Sequence, residues 1–183
     1  MKQLSAEELQ AGMDEILRSP RDAGLLEMIV RRPDTNERET LAQAELSVTE
    51  GLVGDNWSRK GSSMTADGSA HPEMQINIMN SRVIALVAAT EDRWPLAGDQ
   101  LYVDLDLGKD NLPGGARLQI GTAVLEVSEI PHLGCKKFAA RFGVEAMKFV
   151  NSGLGKQRCF RGINAQVVEP GIVHVGDRVT KLA

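Results

Sequence analysis

The chain has 183 residues, enough for one domain with a substantial core and too few for two large ones. Hydrophobic residues make up 42% and charged residues 25%, a globular balance that excludes a disordered chain, and no apolar run approaches the ~20 residues of a bilayer-spanning helix. Net charge is -4, with lysines and arginines scattered except around 136–141 and 156–161. That distribution excludes duplex nucleic acid, which needs a broad cationic face, but leaves room for a small anion.

The N-terminal segment Met1 to Glu8 lacks the apolar centre of a secretion signal and carries acids there, so a cytoplasmic location with no membrane partner is expected. Ser5-Ala6-Glu7-Glu8 forms a capping box, with Leu4 and Leu9 as its hydrophobic staple. Leu9, Met13, Ile16 and Leu17 follow at helical spacing until Ser19-Pro20. Residues 1–22 therefore read as a helical extension to a single domain at 23–183. Gly24 to Arg31 is a strand, and Thr40 to Val48 is expected to pair with it as a hairpin across the polar turn 31–38.

Residues 51–73 hold Gly51, Gly54, Gly61, Gly68 and Pro72 and read as one long loop, either closing over a site or an insertion without chemistry. Met74 to Ile78 alternates as a strand, and Asn80 or Ser81 caps a helix ending near Ala89. In the next strand Leu101, Val103, Leu105 and Leu107 face inward while Tyr102, Asp104 and Asp106 face water. After the turn Pro113-Gly114-Gly115, two strands, Arg117 to Ile120 and Ala123 to Ile130, hinge at Gly121. A helix begins near Cys135, with Phe138 and Phe142 four apart, breaks at Gly143 and resumes through Ala146, Met147 and Val150. Gly162 to Val168 and Ile172 to Val179 are expected to pair across Pro170-Gly171. Many short strands with few helices predict an α+β fold, mainly β: a partly closed β-barrel with peripheral helices.

Chemistry concentrates at Pro131-His132-Leu133-Gly134-Cys135-Lys136-Lys137. A thiol at a helix start beside two lysines favours the thiolate, so Cys135 is the candidate reacting or ligating atom, against the alternative of a buried apolar cysteine. The other cysteine, Cys159, lies far away in sequence, without Cys-x-x-Cys or Cys/His spacing. Structural zinc and a thioredoxin-type pair are therefore not expected. His132 could serve as a base towards the thiol or be a backbone-bonded loop histidine. Lys136, Lys137, Arg141, Lys156, Arg158 and Arg161 could hold a phosphate or sulfate-like group, or simply be solvated. Gly54-Asp55, Gly98-Asp99 and Gly176-Asp177 are turn chemistry, although Asp99 and Asn111 could reach a ligand.

Four features, in order, resemble the MOSC domain, the C-terminal domain of molybdenum cofactor sulfurases. They are Gly114-x-Arg117-Leu118-x-Ile120-Gly121, Pro131-His132-x-Gly134-Cys135, Arg141-Phe142-Gly143, and Arg161-Gly162 followed by Val167 to Gly171 and Gly176-Asp177. The pattern spans about residues 98–180 and departs from the family's bacterial motifs at Gly54-Asp55-Asn56-Trp57 and at Gly98-Asp99-Gln100-Leu101. The resemblance implies a barrel like that of pyruvate kinase and a stand-alone member. In such a member Cys135 carries persulfide sulfur or ligates molybdenum in a pterin cofactor (molybdopterin). By analogy Lys136, Lys137 and Arg161 would hold the pterin phosphate or stabilise a persulfide. With no attached sulfurtransferase or iron–sulfur module, such a protein would draw sulfur from a pyridoxal phosphate-dependent desulfurase or electrons from a flavoprotein. Three activities are thus open: a sulfur carrier or cofactor binder, a reductase component for N-hydroxylated substrates, and a non-catalytic anion- or protein-binding domain. Oligomeric state is left open.

Overall fold

The computed structural model describes residues 3–182; Met1, Lys2 and Ala183, the outer ends of the expected extension and domain, lie outside the described residues. In chain order the strands are β1 (Gly24–Arg31), β2 (Glu39–Leu41), β3 (Gln43–Ser47), β4 (Gly51–Leu52), β5 (Ile76–Asn80), β6 (Leu101–Asp104), β7 (Arg117–Ile120), β8 (Ala123–Pro131), β9 (Ile163–Glu169), β10 (Gly171–His174) and β11 (Arg178–Leu182). The helices are α1 (Ala6–Ala11), α2 (Met13–Leu17), α3 (Trp57–Lys60), α4 (Ser81–Ala88), α5 (Lys136–Phe142), α6 (Val144–Val150) and α7 (Gly153–Gln157), with 3₁₀ segments at Pro72–Met74 and Glu91–Ala97. The order β11-β7-β8-β9-β5-β6-β1 closes into a barrel where β1 meets β11, through Gly24 opposite Val179 and Leu25 opposite Arg178. Within that ring β5 and β6 are parallel and every other neighbouring pair is antiparallel. β2 extends β1 outside the ring, and β10-β3-β4 form a second, small sheet.

Two expected pairings are corrected. The strand at 40–48 divides at Ala42: β2 lies on β1, with Leu41 opposite Ile29, whereas β3 buries Ala44 and Leu46 and pairs with β10. The terminal pair across Pro170-Gly171 does not form. Both edges of β9 are already taken, by β5 and β8, so β10 goes to β3 and β11 to β7. Each stretch of a strand has two edges to bond, and the ring decides which strands fill those of β9.

The barrel interior is filled from every strand of the ring, for example by Leu26, Ile29, Ile78, Leu101, Val103, Leu125 and Val167. A second core lies outside, where Met28, Val30, Met79 and Tyr102 from β1, β5 and β6 meet Leu9, Ile16, Val83, Ile84, Phe138 and Phe142 from the helices. In β1 a bulge between Leu26 and Met28 lets Leu26 and Ile29 face inward while Met28 and Val30 face the helices. Tyr102, expected on a wet face, is wholly enclosed, and its hydroxyl donates to the Trp94 carbonyl at 2.7 Å. Helices cover that side of the barrel, which a strand's own alternation cannot reveal. The strand also stops at Asp104 instead of running to Leu107.

At the N-terminus the capping box forms, with Glu8 N–H donating to Ser5 Oγ at 3.2 Å and Ser5 N–H to Glu8 Oε2 at 2.8 Å. The expected single helix is two, α1 and α2, meeting at Gly12, where a Cβ would fall 2.5 Å from Leu86 Cδ1. Leu9 and Ile16 enter the second core, so this extension is packed onto the barrel.

A buried ion pair lies at the second core. Asp99 has no exposure; Arg161 Nη1 reaches its Oδ1 at 2.8 Å and Oδ2 at 2.7 Å, and His132 Nε2 lies 2.9 Å from Oδ1. Burial pushes the Asp99 carboxyl up, but Arg161 and His132 more than offset it and hold it at about 2. Burial, with Arg161 adding, lowers His132 from its ordinary value despite the attraction of Asp99. An unfolded Asp99 titrates at about 3.9, so as pH falls the unfolded chain takes the proton first. Stability from this group is present above about pH 4 and fades towards pH 2. Asp99→Asn leaves the Arg161 charge buried without its partner and should cost about 3–5 kcal/mol in urea unfolding near neutral pH. The gap between wild type and variant should narrow as pH drops through about 4 to 2; a pH-independent gap would reduce the pair to packing.

Candidate functional site

β8 delivers the chain into the loop 131–135, which α6 pins in place. Gly134 N–H donates to Asn151 Oδ1 at 2.9 Å, and Asn151 Nδ2 donates back to the Gly134 carbonyl at 2.8 Å. A Cβ at Gly134 would fall 2.9 Å from Val150 Cγ2, so the residue before the cysteine has no room for a side chain. Cys135 is the N-cap of α5, extended at φ -117 and ψ 179, and its thiol is free and exposed. Partial burial raises the thiol pKa. The backbone N–H groups of Phe138 and Lys137, then the charges of Arg161 and Lys137, outweigh it and leave the thiol below its ordinary range.

Against α5, the Glu91–Ala97 segment ends at Gly98, whose φ of +91 suits glycine. Four consecutive carbonyls there each accept from a different arginine. Pro95 O takes Arg38 Nε at 3.1 Å, Leu96 O takes Arg141 Nη1 at 2.6 Å, Ala97 O takes Arg161 Nη2 at 3.0 Å, and Gly98 O takes Arg32 Nη1 at 2.8 Å. A helical end leaves its last carbonyls unpaired and slightly negative, which is why cations gather on it.

Two of these arginines are neutralised. Arg32 forms a fork with the buried Asp55, its Nη2 2.7 Å from Oδ2 and its Nε 2.9 Å from Oδ1, and Arg161 is held by Asp99. The other two are not. Among the described residues Arg38, Arg141, Lys60 and Lys137 have no carboxylate partner in an ion pair. Arg38 and Arg141 converge over Gly98, where a Cβ would lie 3.6 Å from Arg38 Nη2 and 3.8 Å from Arg141 Nη1. Burial, then Arg141 and Arg32, lower the pKa of Arg38, and burial, then Arg32, Lys137 and Arg38, lower that of Lys60. The cations therefore feel one another, and Asp55, already paired with Arg32, is the last and smallest cause at Arg38 and Lys60 and does not offset the lowering. Hydrogen bonds tie this cationic basin to the cysteine loop: Arg32 Nη1 to Asn77 Oδ1 at 3.1 Å, Asn77 Nδ2 to Asn164 Oδ1 at 2.7 Å, and Asn164 Nδ2 to the Ile130 carbonyl at 2.9 Å.

The residues singled out from the sequence fall in several places. Cys135, Lys137 and Arg161 are brought together, and Arg141 lies with Arg38 over Gly98. Lys136 is exposed and is not among the groups acting on the sulfur. His132, read as a base for the thiol, has Nε2 committed to Asp99, and Asp99, read as a ligand contact, is sealed inside. Asn111 is elsewhere, its Nδ2 donating to the Arg21 and Asp106 carbonyls and its Oδ1 accepting from Lys181 Nζ. Arg158 belongs to Asp106 and Asp110, and Lys156 lines a separate cleft with Cys159. Arg32, Arg38, Asp55 and Lys60 were not anticipated. The charge run Arg31-Arg32 to Arg38, read only as a polar turn, was their available signal, and Asp55 and Lys60 come from the glycine-rich loop.

The sequence matches the MOSC domain family model over residues 31–180. No curated protein matches the sequence significantly. Among solved structures, the YuaD protein of Bacillus subtilis is similar with a TM-score of 0.62 and 21% identity, covering 87% of this chain and 95% of its own. YiiM of Escherichia coli is similar at a TM-score of 0.55 with 16% identity, covering 87% of this chain and 70% of its own. YiiM of Geobacillus stearothermophilus gives a TM-score of 0.53 and 15% identity over 88% of this chain and 73% of its own. Identities this low carry the fold, and the family match covers most of the sequence: the chain belongs to the MOSC domain family.

Proposed function

We propose that this protein binds the molybdenum–pterin cofactor, with Cys135 as the sulfur ligand and the basin of Arg38, Lys60, Lys137 and Arg141 holding the anionic end of the pterin. The observation that carries this reading is a run of four cations without ion-pair partners among the described residues, Arg141, Arg38, Lys60 and Lys137, which act on one another and reach the N-cap thiol through Lys137. Among the described residues no group of three or more His, Cys, Asp or Glu side chains could hold a metal ion. A metal at Cys135 must therefore arrive with most of its ligands, as a pterin dithiolene provides, and a thiolate suits a soft centre. When bound, such a group supplies redox chemistry at molybdenum. The chain's own part is to present a deprotonated sulfur, to grip the anion through the planar forks of Arg38 and Arg141, and to balance charge with Lys60 and Lys137.

The exposure of Cys135 favours a second use of the same sulfur, as a carrier. The thiolate attacks the outer sulfur of a donor persulfide, Cys135–S–S⁻ forms, and the donor leaves as its thiolate, with no change in the electron count. A pyridoxal phosphate-dependent desulfurase would supply that donor, whereas a flavoprotein would supply electrons to the molybdenum form.

Cys135 should alkylate at appreciable rates below about pH 8.5, the unperturbed thiol value, and Cys159, whose pKa burial raises, should lag behind it. Lys137→Gln should move the Cys135 rate profile to higher pH while Lys136→Gln leaves it in place; equal effects would disprove the local electrostatic account.

Protein from a molybdenum-sufficient host should contain molybdenum in near-stoichiometric amount, lost in Cys135→Ala and reduced at least about tenfold in Arg38→Glu/Arg141→Glu. Absence of metal, together with a reducible mass increment of about one sulfur atom on Cys135, would replace cofactor binding by sulfur carriage. Neither signal would leave the MOSC barrel without either activity.

A further inference from the structure

On the other side of the 131–135 loop the β8–β9 ladder opens. Val127 is opposite Ala165 and Pro131 opposite Ile163, so two extra residues of β8 bulge out between these pairings. Pro131 has no N–H for the ladder, and a bulge at a barrel rim splays the strands. The gap continues into a cleft of about 470 Å3, within the volume range of small-molecule sites. Its walls are mainly hydrocarbon, with Leu112, Val127, Ile130, Leu133, Val150 and Ile163 among them. Lys109 and Lys156 stand in the lining beside Cys159, and among the described residues neither lysine has an ion-pair partner. Glu129 is the one carboxylate of the lining. The backbone holds the lysines' segments together, since Lys109 N–H donates to the Gln157 carbonyl at 3.1 Å.

We infer that this cleft is a second binding site, distinct from the cationic basin, for a small amphiphilic anion: a compact aromatic or short-chain acid whose apolar body fills the splayed ladder and whose carboxylate or sulfonate meets Lys109 and Lys156. Two lysines without ion-pair partners among the described residues, outnumbering the single carboxylate of Glu129 over a hydrocarbon cleft, select such a molecule. A neutral hydrocarbon leaves the cations unpaired, and a highly charged anion cannot desolvate against the apolar walls. His132 and Leu133 form part of the wall, so an occupant touches the segment that carries Cys135.

Anilinonaphthalene sulfonate has the required shape and charge, and the test uses the full chain carrying Cys135→Ser, so that Cys159 is the sole thiol and the sulfur chemistry of Cys135 is not involved. Fluorescence titration should saturate at one site, and Lys109→Glu/Lys156→Glu, two exposed positions, should weaken it about tenfold or more at unchanged melting temperature. Saturating probe should also slow alkylation of Cys159 about tenfold, because the thiol lines the same cleft. Absent or unsaturable binding, binding indifferent to charge reversal, or an unprotected Cys159 would each overturn the cleft, whatever Cys135 proves to do.

Discussion

The four carbonyls from Pro95 to Gly98 are the constraint around which the site is arranged. They end a 3₁₀ segment, where Pro95 O still accepts from the Gly98 N–H, and the four are met by arginines from three parts of the chain. Arg32 and Arg38 lie on either side of the turn after β1, Arg141 is in the last turn of α5, and Arg161 enters β9. A single short segment thereby collects elements far apart in sequence. Arg161 carries this furthest: it bonds Ala97 and Asp99, and its guanidinium lies 5.1 Å over the ring of Phe138, three residues beyond Cys135. The sulfur is thus fixed relative to the carbonyl run through α5 itself.

Which arginines are paired determines what the site can do. Asp55 and Asp99 are both buried, and each is spent on one guanidinium, Arg32 and Arg161. These pairs hold position, and their guanidiniums still act on the site: Arg161 lowers the Cys135 thiol after the backbone N–H groups and ahead of Lys137, and Arg32 acts on Lys60. Among the described residues Arg38 and Arg141 bond to carbonyl or amide oxygens and to no carboxylate. A chain of net charge -4 has therefore built a local cationic patch from residues that its overall composition does not reveal.

Local signals were legible in the sequence wherever one residue's chemistry decided the outcome. The capping box at Ser5, the Asn80 cap, the break at Gly143 and the helix start at Cys135 all appear in the structure. What was not legible depended on partners distant in the chain. Tyr102 alternates like a solvent-facing residue and is buried because helices from both ends of the sequence cover it. β9 and β10 are adjacent in sequence but separate because the barrel has already filled both edges of β9. Arg32 and Arg38 read as a polar turn since nothing near them names Gly98, sixty or more positions on, as their destination. Gly162 shows the same dependence: its φ of +112 and a Cβ only 2.3 Å from the Ile78 carbonyl make glycine obligatory, but only once β5 lies beside it.

Leaving Arg38, Lys60, Lys137 and Arg141 without acids has a cost, since like charges at close range repel and partial burial removes the water that would screen them. Both Arg38 and Lys60 register it as lowered pKa values. An incoming anion gains twice, once from attraction and once from relief of that repulsion, and the gain is larger for a group such as phosphate that bridges two guanidiniums than for a single carboxylate. Because the cations are only partly buried, added salt would weaken both contributions together, as it does for any exposed charge cluster. The cleft behind the cysteine loop has the opposite balance, with much hydrocarbon and two lysines. One loop, clamped by Asn151 at Gly134, thus lends His132 and Leu133 to the wall of the cleft and ends at Cys135, on which Arg161 and Lys137 act.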